Sequence, residues 1–180
     1  MKIDFNHCNE KELWEFVASH LKRKGIDTIL VGGAVVSIYT NGAYKSGDLD
    51  FVKGSIFTQG LEKAMNEIGF IKHGRNYIHP ECKSLFVEFP GSVPLGIGED
   101  YSIIPDERVV DSQVIKILSP TDCVKDRLAS FIYFKDREGL DQAVLVASQH
   151  PVDFGEINRW CDNENESWAF EEFKKNYNKI

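Results

Sequence analysis

Apolar positions near the start of the chain recur every three or four residues, the spacing of one face of an α-helix. These positions are Leu13, Phe16, Val17 and Leu21. Asn9 and Glu12 precede them with the spacing of a capping box, and Gly25 follows them as a typical helix stop. The pattern therefore predicts an amphipathic helix between Asn9 and Gly25.

A short apolar run and a pair of glycines come next. Thr28–Val31 is apolar and β-branched, which favours a buried strand. Gly32-Gly33 interrupts the run before helical spacing resumes over Ala34–Tyr39. After a turn signal at Asn41-Gly42, the segment Asp48–Val52 alternates polar and apolar residues, as a strand with one open face does. The predicted order is strand, glycine turn, helix and strand.

The middle of the chain is predicted to add a helix and further strands. Helical spacing runs from about Thr58 to Ile68 and ends at Gly69. Strands are expected between His73 and His79, at Ser84–Phe89 and at Val114–Leu118, with a loop rich in Gly and Pro at Pro90–Gly98.

From Ser119 onward the pattern is helical. Ser119 is a predicted N-cap, with Pro120 at the first helical position and Asp122 in the first turn. Apolar residues then repeat at helical spacing through Val124, Leu128, Phe131, Ile132, Leu140, Val144, Leu145, Phe154, Ile157, Trp160, Trp168, Phe170 and Phe173. We expect an α/β domain over residues 1–118 and a C-terminal helical region over residues 119–180 packed on it.

Composition narrows the class of protein. With 180 residues, 42% apolar and 27% charged, the chain fits one water-soluble globular unit. It has no apolar N-terminal segment and no run long enough to span a bilayer, so neither export nor a membrane partner is expected. Its cysteines are dispersed without a CxxC pair, which favours reduced thiols in the cytoplasm.

Net charge restricts the partners. A formal net charge of −7 argues against broad attraction to nucleic acid, although a local basic face is compatible with an acidic total. The charge of the chain therefore gives no support for RNA as a partner.

Asp48 and Asp50 are the first candidates for chemistry. Residues two apart in a strand project from the same face, so these carboxylates are expected side by side while Leu49 and Phe51 face the core. Two like charges at that separation repel, and a divalent cation between them offsets the repulsion. Mg²⁺ prefers a few carboxylates together with substrate phosphates, so the pair predicts half of a metal site.

Other residues are predicted to complete this site. Alternation in Ser84–Phe89 turns Glu88 away from the apolar face, where it would be a third carboxylate, either a metal ligand or a proton acceptor. Gly32-Gly33 at a strand-to-helix turn would let backbone N–H groups approach a triphosphate. Lys45 and Ser46, just before the aspartates, are candidates for a phosphate contact.

These motifs together resemble a known signature. The run Val31-Gly32-Gly33, an intervening helix and then Ser46–Phe51 is similar to the motif of the DNA polymerase β-like nucleotidyltransferase superfamily. The resemblance covers about the first two thirds of the chain and implies a mixed sheet flanked by helices. It further implies that Asp48 and Asp50 bind two Mg²⁺ ions, with Mn²⁺ as an alternative, and that Glu88 is the third ligand or the base. The implied reaction transfers an NMP from an NTP to a hydroxyl and releases pyrophosphate.

Within that superfamily the chain resembles minimal bacterial nucleotidyltransferase-fold proteins, including toxins of toxin–antitoxin systems. This implies an antitoxin-like protein partner and an acceptor that is RNA or protein. A Lys on a C-terminal helix contacts the nucleotide in those relatives. The similar segment Ser119–Leu128 makes Lys125 the first candidate for that role and Arg127 the alternative.

Other motifs fit the same residues less well. The glycine pair lacks the third glycine of a dinucleotide-binding fingerprint and the Gly-Lys-Ser/Thr of a Walker loop. His73 and His79 have no partner at metal-ligand spacing, and the three tryptophans, Trp14, Trp160 and Trp168, are expected in the core. A nucleotidyltransferase fold without turnover, acting as a nucleotide-binding or regulatory module, stays as the alternative hypothesis.

Overall fold

A computed structural model describes residues 2–56 and 59–180 of the chain. The helices of this described part are α1 (Glu10–Arg23), α2 (Gly33–Tyr39), α3 (Leu61–Glu67), α4 (Pro120–Phe134), α5 (Arg137–Gln149), α6 (Phe154–Asn163) and α7 (Ser167–Tyr177). Its strands are β1 (Thr28–Val31), β2 (Asp48–Lys53), β3 (Ile71–His73), β4 (Asn76–His79), β5 (Cys82–Ser92), β6 (Asp106–Val110) and β7 (Gln113–Ile117).

The strands form one seven-stranded mixed sheet in the order β3-β4-β5-β2-β1-β7-β6. β2 runs antiparallel to β1 and parallel to β5, and β1 runs parallel to β7. Antiparallel pairs, β3 with β4 and β6 with β7, form the two edges. The expected α/β class with a mixed sheet flanked by helices is confirmed, and β2 lies near the middle of the sheet.

The helix predicted between Asn9 and Gly25 is present as α1. The Asn9 side chain accepts the backbone N–H of Glu12, whose own side chain accepts the N–H of Asn9, so the capping box forms in both directions. The predicted apolar face is buried except that Phe16 is only partly covered. Ser119 and Pro120 likewise begin α4 as predicted, with the Ser119 hydroxyl accepting the N–H of Asp122.

The sheet divides into a core face and a face that carries the candidate site. Leu49 and Phe51 of β2 are fully buried, whereas Asp48 and Asp50 lie partly exposed on the other face. Apolar side chains of the later helices, such as Trp160, join the same core cluster as those of the sheet. The C-terminal helices therefore share one core with the sheet. Of the described helices, none is long and apolar enough to cross a membrane.

Several predicted boundaries change. The loop expected at Pro90–Gly98 begins later, because β5 continues to Ser92 where its pairing with β2 shifts register, which accommodates a proline. Edge strand β6 was not predicted. Its charged residues form a strand because they pair with β7. The predicted start of α3 at Thr58 lies outside the described residues, which place the helix from Leu61.

Trp168, predicted to lie in the core, is instead 47% exposed. Its indole N–H donates to the Glu166 carboxylate, and its ring packs edge-on against Phe131 with centroids 5.3 Å apart. A polar partner close in sequence therefore holds the indole at the surface, while Trp14 and Trp160 are fully buried as predicted.

Candidate active site

Asp48, Asp50 and Glu88, here called the carboxylate site, lie on neighbouring strands of the open face. Asp50 of β2 is paired in register with Glu88 of β5, and Asp48 is paired with Phe86. Because directly paired residues in a sheet project to the same side, the two aspartates and Glu88 share one face. The strand alternation predicted from the sequence is therefore present on both strands.

Gly32 and Gly33 leave space for Asp50 and for Ser46, the hydrogen-bond partner of Asp48. Gly32 has φ +75°, and a Cβ atom there would lie 2.8 Å from Oδ2 of Asp50. A Cβ atom at Gly33 would lie 3.0 Å from Oγ of Ser46, whose hydroxyl donates to Oδ1 of Asp48 at 2.8 Å. Larger residues at either position would displace an aspartate or its hydrogen-bond partner. The phosphate contact expected for these glycines stays a prediction.

The carboxylate site is electrostatically strained. Burial, together with the nearby charges of Asp48 and Glu88, raises the pKa of Asp50 to about 6. Like charges on adjacent strands and partial burial both disfavour ionisation of Asp50. A cation at this position would relieve the strain.

Glu88 already has a cationic neighbour. The Arg75 guanidinium, which extends from the β3–β4 turn and is largely exposed, has Nε 3.3 Å from Oε2 of Glu88. Among residues 2–56 and 59–180, no three or more His, Cys, Asp or Glu side chains form a ready-made metal-binding group. The role of Glu88 as third ligand or base therefore stays a prediction.

The donor set nonetheless suits a hard divalent cation. Asp48 and Asp50 supply carboxylate oxygens on one face, and burial together with the neighbouring carboxylates raises the pKa of Asp50, an effect that Arg127 only partly offsets. Mg²⁺ binds through one or two carboxylates and keeps positions for water and phosphate. The two aspartates, with Glu88 beside them, fit such an ion.

Helix α4 contributes a second charged pair near the site. Both Asp126 and Arg127 act electrostatically on Asp50, Asp126 raising and Arg127 lowering its pKa. Arg127 donates from Nε and Nη2 to Oδ2 of Asp126, and from Nη1 to Gln142 at 3.3 Å. The Arg127 side chain is 15% exposed, so its charge is held in place beside the carboxylates.

Tyr44 closes the site from the loop before β2. Its ring lies 3.5 Å from the position of a Cβ at Gly33, and the nearby Gln142 side chain of α5 acts to lower the pKa of its hydroxyl. Burial raises the pKa of Tyr44, and the carboxylates of Glu138 and Asp48 raise it further. Tyr44 thus links the glycine turn to α5.

Lys125, the first candidate from the sequence for a nucleotide contact, faces a different part of the molecule. Its side chain is 2% exposed, and Nζ lies 2.8 Å from Asp122, 3.0 Å from Asp100 and 3.1 Å from Glu156. Three carboxylates already neutralise this ammonium group. The structure brings Arg127, the alternative candidate, to the carboxylate site and does not bring Lys125 there.

The remaining candidates are placed as follows. Ser46 is buried beside Asp48, whereas Lys45 is exposed in the loop between α2 and β2, where its phosphate contact stays a prediction. His73 is exposed, and His79 stacks on Phe5 with centroids 3.7 Å apart.

Sequence reasoning missed four residues around the site: Glu10, Tyr44, Arg75 and Asp126. Glu10 reaches the site from α1 by accepting the backbone N–H of Ser46 at 2.9 Å. Of these four, Asp126 could have been found from the sequence, because it adjoins Arg127 in the segment that resembles the family. Long-range packing brings Glu10 and Arg75 there, whereas Tyr44 directly precedes Lys45 and Ser46 in the chain.

The arrangement of strands and helices matches the fold of solved nucleotidyltransferase-like structures. Solved structures with this fold include an antigenic nucleotidyltransferase-like protein from Paracoccidioides brasiliensis, at TM-score 0.61 and 15% identity, covering 91% of this chain and 92% of that one. The antibiotic-resistance factor ANT(2'')-Ia superimposes at TM-score 0.57 and 9% identity, covering 94% of this chain and 100% of its own. The lincosamide antibiotic adenylyltransferase LnuA, solved with lincomycin bound, superimposes at TM-score 0.51 and 15% identity, covering 81% and 100%.

Sequence comparison adds no relative to these structures. No family model matches the chain, and no curated protein matches it. At identities of 9 to 15% the likeness is one of fold.

Proposed function

We propose that this protein is a nucleotidyltransferase that transfers an NMP from an NTP to a hydroxyl acceptor and releases pyrophosphate. The observation that carries the proposal is the carboxylate site, built on paired positions of β2 and β5 next to the Gly32 turn. The fold shared with nucleotidyltransferase-like structures supports the same reaction class.

In this proposal Asp48 and Asp50 hold Mg²⁺, with Glu88 as a third ligand or as the base that takes the proton of the acceptor hydroxyl. When bound, the ion would neutralise phosphate charge and lower the pKa of the attacking hydroxyl. Gly32 and Gly33 bring the backbone close enough for the triphosphate to lie against the N-terminus of α2. Ser46 and Lys45, in the loop between α2 and β2, are the further candidates for a phosphate contact.

Arg127 is the cation we assign to the triphosphate in preference to Lys125. Its charge already acts on Asp50, it is positioned by Asp126 and Gln142, and guanidinium donors match phosphate oxygens in pairs. The Lys125 ammonium, in contrast, is neutralised by three carboxylates.

The acceptor is the open part of the proposal. The sequence resemblance favoured RNA or protein, with a role in a toxin–antitoxin pair, and the net charge of −7 gives RNA no electrostatic support. Two of the solved structures are an antibiotic-resistance factor and a lincosamide antibiotic adenylyltransferase. Small hydroxylated molecules should therefore be tested as acceptors beside RNA and protein.

The proposal is tested by incubating the protein with each α-labelled NTP and Mg²⁺, against RNA, protein and small-molecule acceptors. Label transfer and pyrophosphate release are expected for the wild type and lost in Asp50→Asn, which keeps the shape of the side chain and removes its charge. Asp141→Asn, on the exposed surface of α5, is the matched control. Transfer that survives Asp50→Asn would contradict the proposal.

The antitoxin-like partner needs a separate experiment. Co-expression with the products of adjacent genes, followed by affinity purification, would identify a stoichiometric partner. Growth arrest on expression of the wild type, relieved by Asp50→Asn, would support the toxin role, and unimpaired growth with the active wild type would exclude it.

One observation favours the alternative of a nucleotide-binding module without turnover. Arg75 pairs with Glu88, so the third carboxylate is already neutralised by the protein itself. Calorimetry that found tight binding of ATP and Mg²⁺, with no pyrophosphate release across the acceptor panel, would favour this alternative. Activity gained on changing Arg75→Ala would identify the pair as the inhibiting contact.

A further inference from the structure

Glu10 is a buried carboxylate that the capping of α1 does not use. It is the first residue of α1 and is 6% exposed, although Asn9 and Glu12 already form the capping box. Its Oε1 atom accepts the backbone N–H of Ser46 at 2.9 Å, across a large separation in sequence. A carboxylate at the N-terminus of a helix is stabilised by the helix dipole.

Ser46 carries this contact on to the candidate metal ligand. Ser46 is 8% exposed, and its hydroxyl donates to Oδ1 of Asp48 at 2.8 Å. Gly33 leaves the space that the hydroxyl needs, since a Cβ there would lie 3.0 Å from Ser46 Oγ. Two hydrogen bonds therefore connect α1 to Asp48 through one buried serine.

Such a connection has a specific use at a metal site. An ionised carboxylate has about four lone-pair positions, so Asp48 can accept the Ser46 hydrogen bond and still bind a cation. Hydrogen bonds to the ligands hold them in the binding orientation, and their loss typically lowers metal affinity about 10- to 100-fold. Without the Ser46 bond, the Asp48 side chain would lose a contact that orients it.

We propose that Glu10 is a positioning residue for the metal site: it fixes the Ser46 backbone so that the Ser46 hydroxyl orients Asp48 towards the cation. This inference rests on the proposed function, because it requires Asp48 to bind a metal ion. It extends the site to α1, a helix outside the sequence motif.

The test measures Mn²⁺ binding by electron paramagnetic resonance in the presence of a non-hydrolysable ATP analogue. Glu10→Ala removes the acceptor and is expected to weaken Mn²⁺ binding about 10- to 100-fold. Glu10→Gln keeps a carbonyl oxygen in the same position and is expected to bind Mn²⁺ close to the wild-type level. Ser19→Ala is the matched control, since it removes a buried hydroxyl of α1 that bonds only the backbone of its own helix.

Ser46→Ala provides a second route if Glu10→Ala fails to fold, because it removes the hydroxyl that contacts Asp48 directly. It is expected to weaken Mn²⁺ binding to a similar extent, and Ser46→Thr, which keeps the hydroxyl, is expected to restore much of it. Circular dichroism confirms that each variant is folded before the comparison.

The outcomes separate this inference from the proposed function. Wild-type protein that binds no Mn²⁺ would overturn both, because Asp48 would then hold no cation. Wild-type binding lost in Asp50→Asn but unchanged in Glu10→Ala and Ser46→Ala would overturn the positioning role alone. Equal losses in Glu10→Gln and Glu10→Ala would also overturn it, since the hydrogen bond would then not be the cause.

Discussion

Gly32 and Asp50 are in direct contact across the turn between β1 and α2, where a Cβ atom at position 32 would lie 2.8 Å from Oδ2 of Asp50. The turn also requires φ +75° at Gly32, a conformation that L side chains rarely adopt. The glycine is therefore required twice, once by the backbone and once by the carboxylate beside it.

Gly32→Ala is expected to lose about 1 to 3 kcal/mol of stability, because φ 75° with ψ −157° is a backbone conformation essentially confined to glycine, and to abolish nucleotidyl transfer by displacing Asp50. Gly25→Ala separates the two effects, because Gly25 has φ +76° and nothing within 4 Å of a Cβ. Chemical denaturation should show a loss of stability for both variants, while the transfer assay should fail only for Gly32→Ala. Equal activities would contradict the contact.

Arg127→Met is expected to weaken ATP binding about tenfold or more, since a charge-assisted hydrogen bond contributes about 1.5 to 3 kcal/mol. Arg137→Met, which removes an exposed guanidinium at the start of α5, is the control. Isothermal calorimetry with ATP and Mg²⁺ measures both. Unchanged affinity in Arg127→Met would return the nucleotide role to Lys125.

Lys125→Met is expected to destabilise the fold by about 3 kcal/mol, because it leaves Asp122, Asp100 and Glu156 without the buried cation that neutralises them. Urea unfolding measures the loss of stability. Lys174→Met, at an exposed position of α7, is the control. A variant of wild-type stability with weak ATP binding would instead favour the nucleotide contact implied by the family resemblance.

The same cluster predicts acid sensitivity. Burial disfavours ionisation of Asp100, but hydrogen bonds from Ser102 and Lys125 outweigh it and hold its pKa well below the usual range. A depressed pKa stabilises the fold above the ordinary aspartate pKa of about 4, and this contribution is lost as pH falls through the lower folded-state value.

Asp100→Asn should therefore be less stable than wild type at neutral pH, and the difference should shrink below about pH 4. Thermal unfolding between neutral and acid pH measures it. A difference that stays constant across this range would mean that the ionisation of Asp100 contributes nothing.

Elements specified by neighbouring residues were predicted well. The ends of α1 follow from Asn9, Glu12 and the apolar spacing, and the start of α4 follows from Ser119 and Pro120. Capping and periodicity are local, so the chain carries them wherever the segment lies.

Pairing between distant segments was harder to predict. Edge strand β6 is defined by its ladder with β7, and β5 extends through a proline because β2 lies beside it. No property of these segments alone encodes a partner strand. The choice between Lys125 and Arg127 depends on packing for a related reason: residues two apart on a helix point about 160° away from each other, and only packing decides which side meets the site.

The order of β1, the glycine turn, α2 and the Asp48–Asp50 strand is written in consecutive residue types, because strand alternation and glycine freedom act within a few residues. The residues that surround this motif in space cannot be read from consecutive residue types. The ladder beside β2 brings Glu88 to Asp50, the β3–β4 turn brings Arg75 to Glu88, and the packing of α1 brings Glu10 to Ser46. These contacts join residues far apart in the chain, so they exist only once the sheet and helices bury a common core.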